Sequence, residues 1–171
     1  MGDEAPATIL SPVSFPEPRT PEPAPSRDAL AARSLRLGTT LRVRARGGSM
    51  LPFFLDGDVL VVRPAAAAEV RIGDVICYEP PSGGLCLHRV VAREERGFVT
   101  RGDALTYVEI VPDAALLGLV TACERHGRRI ALDTPPARRR GRLTAAVAPA
   151  LARLLPPALW LRRAVRAVRR G

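Results

Sequence analysis

The chain has no lysine: all 26 basic residues among its 171 are arginine. A lysine general base, a Schiff-base lysine and a phosphate-loop lysine are excluded, whatever coding bias produced the composition. Aromatic residues make up only 4%, so the core has to be built from Val, Leu, Ile and Ala, and stacking platforms for nucleic-acid bases are scarce. There are two histidines, His88 and His126, and three cysteines, Cys77, Cys86 and Cys123, with neither a CxxC pair nor an even count. That spacing supports neither a zinc ribbon nor a disulfide framework, and the expectation is buried free thiols, no metal and no cofactor. An uninterrupted transmembrane helix is missing as well: the longest apolar stretch, near the C-terminus, is broken by Pro149, Pro156, Pro157 and Arg153.

What is present indicates one turn-rich domain with tails. Apolar residues make up 47%, and 17 Pro and 14 Gly punctuate them. The net charge of +9 is almost entirely a C-terminal property, because residues 125–171 carry thirteen Arg against Asp133 alone. Seven of the first 25 residues are Pro, which remove amide donors and favour extended conformers over packing. The expected organisation is a disordered Pro-rich tail over 1–32, a β-rich domain over 33–132, and an Arg-rich, partly helical tail over 133–171. The N-terminal tail lacks the basic start and apolar run of a secretory signal, so secretion by that route is not expected.

Strict alternation in Leu41-Arg42-Val43-Arg44-Ala45-Arg46 predicts a half-buried strand with a basic outer face. Further strands are predicted at Val59–Arg63, Asp74–Tyr78, Leu85–Ala92, Gly97–Arg101, Leu116–Glu124 and Arg128–Leu132, separated by Gly- and Pro-rich turns. Seven short strands in so short a span imply a barrel or a folded sheet. Residues 143–170 turn helical; over 158–170, Leu161, Ala164, Val165 and Val168 fall on one face, with Arg162, Arg166, Arg169 and Arg170 on the other. Such a segment suits an anionic membrane surface, or a helix docked on the domain with a solvated Arg face. Nucleic acid is disfavoured, since no stacking aromatics accompany the basic run.

Few groups are available for chemistry. Ser49 stands out among the hydroxyls because Gly47-Gly48 precede it, letting the chain turn sharply and leaving neighbouring amides to face an oxyanion. His88 lies mid-strand as a candidate base, and Asp103 follows Gly102 at the end of the next strand, within reach through the hairpin around Glu94–Gly97. Each of these features alone is ordinary turn or strand chemistry.

Taken in order, Gly48-Ser49-Met50-Leu51-Pro52 with Gly57-Asp58, Ile72-Gly73-Asp74-Val75-Ile76-Cys77-Tyr78, His88-Arg89-Val90-Val91, Thr100-Arg101-Gly102-Asp103-Ala104 and Leu117-Gly118-Leu119-Val120 resemble the signal peptidase I superfamily. The resemblance covers about residues 40–123 and, with His in place of Lys, points to the endoplasmic-reticulum and archaeal Ser-His-Asp form. It implies a mainly β fold of the signal-peptidase and SOS-repressor-protease kind. It also implies a serine endopeptidase with Ser49 as nucleophile, His88 as base and Asp103 as supporting carboxylate, with Gly48, Ser49 and Met50 forming the oxyanion loop. Gly57, Asp58, Gly73 and Asp74 match turn positions. A second acid is often found about six residues after the Gly-Asp box; Glu109 holds that place here, with Asp113 beyond it.

The family's N-terminal membrane anchor has no counterpart in this sequence. That leaves three expectations: a protease acting on a cytoplasmic precursor or leader peptide, one held at the cytoplasmic membrane surface by 158–170, or an inactive relative that binds membrane or nucleic acid through its arginines. Arg-rich segments favour the cytoplasmic side, so a cytoplasmic or peripheral cytoplasmic-membrane location is expected rather than secretion, and an enzyme of this kind would demand an unfolded peptide.

Overall fold

The computed structural model describes residues 26–154. The tail over 1–25 and the basic segment 158–170 lie outside the described residues.

Helix α1 spans Arg27–Arg36, across the boundary expected between positions 32 and 33. Its start is written locally: the Ser26 hydroxyl accepts the Ala29 N–H at 3.1 Å, Asp28 stands in the first turn, and Arg33 and Arg36 stand in the last. Ala32 and Leu35 are each 1% exposed, so the helix belongs to the core and the domain begins earlier than position 33.

Eight strands follow: β1 (Leu41–Arg44), β2 (Val59–Arg63), β3 (Val75–Tyr78), β4 (Cys86–Glu94), β5 (Gly97–Arg101), β6 (Glu109–Val111), β7 (Leu116–Arg125) and β8 (Arg128–Ala131). All pairs are antiparallel, in the order β1-β2-β7-β3-β4-β5-β6, with β8 added to β7. β1 and β6 are the two ends of that path and do not pair with each other, so the sheet is not closed into a barrel. The short β6 was not expected from the sequence, which has only three strand residues there.

The sheet is covered on both faces. β3 is buried at all four positions: Val75 and Cys77 join one cluster with Met50, Phe54, Leu60, Val62 and the α1 residues, while Ile76 and Tyr78 join another with Val90, Phe98, Val111 and Leu119. Each fully buried side chain of this size contributes roughly 1.5–3 kcal/mol through removal from water. The same alternation in β4 sends Leu87 to the first face and Cys86 and Val90 to the second.

Helix α2 (Pro135–Leu154) crosses the end of the sheet by close backbone contact. A Cβ on Gly141 would lie 2.6 Å from the Gly73 carbonyl oxygen, and one on Gly73 2.5 Å from the Arg142 nitrogen, so both positions require glycine. The sequence boundary at 133 therefore divides what the fold joins. The helix also runs through Pro149, where a break was expected. Proline supplies no N–H to the carbonyl four residues back, and here the Arg101 guanidinium donates to that Ala145 oxygen at 2.9 Å instead. No helix among the described residues is long and apolar enough to cross a membrane.

Candidate active site

Ser49 lies in the bend after β1. Gly47 adopts a left-handed φ of 85°, and its N–H donates to Asp56 Oδ1 at 3.0 Å. Asp58 secures the far side of the loop. Its carboxylate accepts the Leu55 N–H at 2.8 Å and the Arg125 guanidinium at 2.9 and 2.6 Å, and the Arg125 contact holds its pKa below the usual carboxylate range. The Ser49 carbonyl accepts the Ala104 N–H at 2.8 Å, and a Cβ on Gly102 would intrude to 2.6 Å from that oxygen. The Gly48-Ser49-Met50 loop is thereby seated on the Gly102–Ala104 segment. The amides of Ser49 and Met50 donate to no acceptor among the described residues, which leaves two adjacent N–H donors beside the hydroxyl.

His88 is paired with Ile76 across β3–β4 and is 5% exposed. Its Nδ1 lies 3.0 Å from the Tyr78 hydroxyl and 3.3 Å from Glu109 Oε2, and the Tyr78 hydroxyl donates to that same Oε2 at 2.5 Å. With the tyrosine proton committed to Glu109, Nδ1–H is the donor toward the pair, and Nε2 carries the free lone pair. Burial pushes the His88 pKa below its ordinary value, and Glu109 pulls against it. Nε2 has Cys86 Sγ at 3.8 Å, and burial raises the Cys86 pKa.

The carboxylate at the imidazole is thus Glu109, whereas the sequence reading assigned Asp103. Both Asp103 oxygens accept from Arg89, at 2.7 Å each, in a pair 7% and 2% exposed, and the Arg89 guanidinium donates further to the Gly73 carbonyl at 2.9 Å. Neighbours on β4 face opposite sides, so an acid holding Arg89 does not also hold His88. Asp103 reaches His88 through its field alone, favouring the protonated ring. Asp113, the other possible second acid, is bound at the surface to Arg93 through two contacts of 2.6 Å. Asp74 accepts the Arg71 N–H at 2.9 Å, closing the turn in which Gly73 has φ 96°; Gly57 likewise has φ 94° before Asp58.

Ser49 and His88 are not hydrogen-bonded to each other among the described residues. A cleft of about 630 Å³ is lined by Ser49 and Met50, by β1 and the segment running on to Gly47, and by Leu85, Cys86 and Leu87; His88, the next residue, is not part of that lining. Helix α1 forms a further wall through Asp28, Leu30, Ala31 and Ser34. Strand-like backbone thus runs along two sides of the cleft, with the hydroxyl on its lining.

Cys86, His88 and Glu109 each offer a ligand atom within 4.8 Å of the others. The Tyr78 hydroxyl lies within hydrogen-bond distance of both His88 and Glu109, so His88 and Glu109 already have hydrogen-bond partners as they stand. Sequence reasoning placed Tyr78 in a strand and gave it no role in the site. Its pKa is raised by burial, which keeps it a proton donor. The available signal was period-two spacing: Tyr78 lies two residues beyond Ile76, the partner of His88. All three cysteines are free, and Cys77 and Cys123 are buried.

No family model matches the chain, and neither a curated protein nor a solved structure does.

Proposed function

We propose that the chain is a serine endopeptidase, similar in mechanism to the His-type signal peptidases, that cleaves an extended precursor or leader peptide. The observation that carries this reading is the ordered set from Glu109 through Tyr78 to His88 Nδ1. It leaves Nε2 free on the residue that follows Leu87, and Leu87 lines the same cleft as Ser49. Ser49 Oγ attacks the scissile carbonyl as Nε2 takes its proton, and the protonated ring then passes that proton to the leaving amine; water repeats the sequence on the acyl-enzyme. Glu109 and Tyr78 hold the ring and stabilise the imidazolium, the part first assigned to Asp103. The Ser49 and Met50 amides face the oxyanion, where one lost donor typically costs about 3 kcal/mol.

An extended substrate adds to the β1 edge and lies against Leu85–Leu87, so main-chain bonds set its register. Loose side-chain preference and resistance of folded loops follow from that mode. If the family's preference carries over, small residues precede the cut at the first and third positions. The setting is the cytoplasm or its membrane surface, with no metal and no cofactor required.

A second reading takes Cys86 as the nucleophile, because its Sγ is 3.8 Å from Nε2. Burial and the neighbouring Glu109 hold it as a thiol, which weakens that role. Cleavage of an unstructured peptide library by the protein and its Ser49→Ala, Cys86→Ala and His88→Ala variants separates the two. Loss in Ser49→Ala and His88→Ala with activity kept in Cys86→Ala is the expected result. The reverse pattern selects the thiol, and no cleavage by the unaltered protein overturns both.

A further inference from the structure

The first turns of α2 carry charge of the wrong sign for a helix start. The positive pole of a helix favours acids, yet the helix holds no acidic residue and opens with Arg138, Arg139, Arg140 and Arg142. Three of these, Arg138, Arg139 and Arg142, line a pocket of about 200 Å³ together with Arg71, Ile72, Asp133 and Pro135. None of the four pocket arginines forms a salt bridge or side-chain hydrogen bond among the described residues, and Arg138 Nε is buried without a partner. Four guanidinium groups around one pocket, opposed by Asp133 alone, repel one another unless an anion joins them. Several other arginines, Arg36, Arg42, Arg63, Arg89, Arg93 and Arg125, do hold carboxylates.

The helix surface that continues from this pocket is apolar and uncovered. Arg139, Leu143 and Val147 follow at four-residue spacing along one face, with Arg142, Ala146 and Ala150 beside them, and all six are exposed. Leu143 is 65% and Val147 48% exposed, and Ile72 at the pocket rim is 46% exposed. The opposite face, through Gly141 and Ala145, is packed on the sheet end. Guanidinium groups at one end and a bare aliphatic stripe beyond them match the division between lipid phosphate and acyl boundary.

We infer that this outer face of α2 seats the protein on an anionic phospholipid surface, with a headgroup phosphate in the Arg71–Arg138–Arg139–Arg142 pocket and Leu143 and Val147 in the acyl boundary. The site is distinct from segment 158–170 and independent of the peptidase reading.

The test is co-sedimentation of the full chain with phosphatidylcholine vesicles, with or without phosphatidylglycerol, using a Ser49→Ala background so that turnover plays no part. Binding only to the anionic vesicles is expected. Arg71→Gln with Arg142→Gln should weaken it about fivefold per arginine. Arg169→Gln with Arg170→Gln removes the same charge elsewhere and should weaken it less. Leu143→Gln with Val147→Gln leaves the charge unchanged and should also release the protein, with an unaltered unfolding midpoint confirming the fold in every variant. Equal loss from the two arginine pairs would overturn the pocket in favour of net charge. Saturable binding of inorganic phosphate without vesicle binding would assign the pocket to a free phosphate group instead. Binding to single-stranded nucleic acid that depends on Arg71 and Arg142, without vesicle binding, would overturn the lipid assignment too.

Discussion

His88 and Arg89 are adjacent on β4, each within hydrogen-bonding range of a carboxylate, yet the two pairs are built differently. Arg89 and Asp103 are sealed at 7% and 2% exposure, matched oxygen for nitrogen, with a third bond to Gly73 under α2. His88 is as deeply set, but its acid, Glu109, is 44% exposed, comes from the short edge strand β6, and is shared with a tyrosine. A closed, saturated pair fixes chain geometry; an open pair with a free ring nitrogen has protons left to move. Sequence adjacency therefore conceals a division of labour imposed by the two faces of the strand.

The largest expected effect tests the open side. Ser49→Ala or His88→Ala should each lower kcat/KM by at least about a thousandfold, because the members of such a constellation act as a unit. Near-native unfolding midpoints should accompany the loss, measured by urea denaturation. A variant whose activity falls only in step with its folded fraction would place His88 on the structural side.

The sealed side should answer in stability. Arg89→Met leaves the Asp103 carboxylate buried and unpaired, at a cost of about 3–5 kcal/mol, whereas Arg89→Met with Asp103→Leu should recover much of that. Urea unfolding of the three proteins closes the cycle. Cleavage by the folded fraction of the double variant should persist, since in this scheme Asp103 touches no reacting group.

Glu109→Gln sharpens the contrast between the carboxylates. It should reduce kcat about a hundredfold with little change in stability, since the lost partner is half in solvent. The pH profile carries a sign. Burial already lowers the His88 pKa and Glu109 raises it, so the acid limb of kcat/KM should lie below the ordinary imidazole value of about 6.5 and move lower still in the variant. A limb that rises in Glu109→Gln would contradict the contact.

How much of this was legible can be judged residue by residue. Strands β2 and β5 were read to their ends because short runs of strand-favouring residues (Val, Leu, Phe, Thr) between Gly or Pro signals leave little choice. α1 was hidden by the Pro-rich composition immediately before it, although Ser26 and Asp28 are ordinary start signals. Ser49 and His88 could be named because few nucleophiles and bases exist in this chain. The choice between Asp103 and Glu109 could not be made from sequence, since it turns on which face of β4 each acid reaches. Asp103 lies two residues beyond β5, whose last residue Arg101 pairs with Arg89, while Glu109 arrives from β6 opposite Thr100. Tyr78 looked like core because nearly all of it is core; only its hydroxyl reaches the polar group.

Asp58 and Arg125 extend the comparison to the nucleophile loop. The pair is closed on the acid side, at 3% exposure, and Arg125 lowers the Asp58 pKa. A depressed carboxylate stabilises the fold above its unfolded value, near 3.8, and that contribution is lost as pH falls through the lower folded value. Acid unfolding should therefore include a component below about pH 4. Arg125→Gln should flatten it by raising the folded pKa toward the unfolded one. Stability at neutral pH should drop modestly, and cleavage should weaken as the Leu55–Asp58 turn loosens beneath Ser49.

The smallest effect belongs to Asp113, which has the same bidentate geometry as Asp103 and none of its burial. Its bonds to Arg93 lower its pKa, but both partners are nearly half exposed, so water and salt screen the attraction and side-chain ordering offsets it. Asp113→Asn should leave both the unfolding midpoint and kcat/KM unchanged within error. A clear loss of activity would move the acid of this site from Glu109 toward the segment after β6, and a clear loss of stability would mean that hydrogen-bond geometry, rather than burial, separates the two classes of pair.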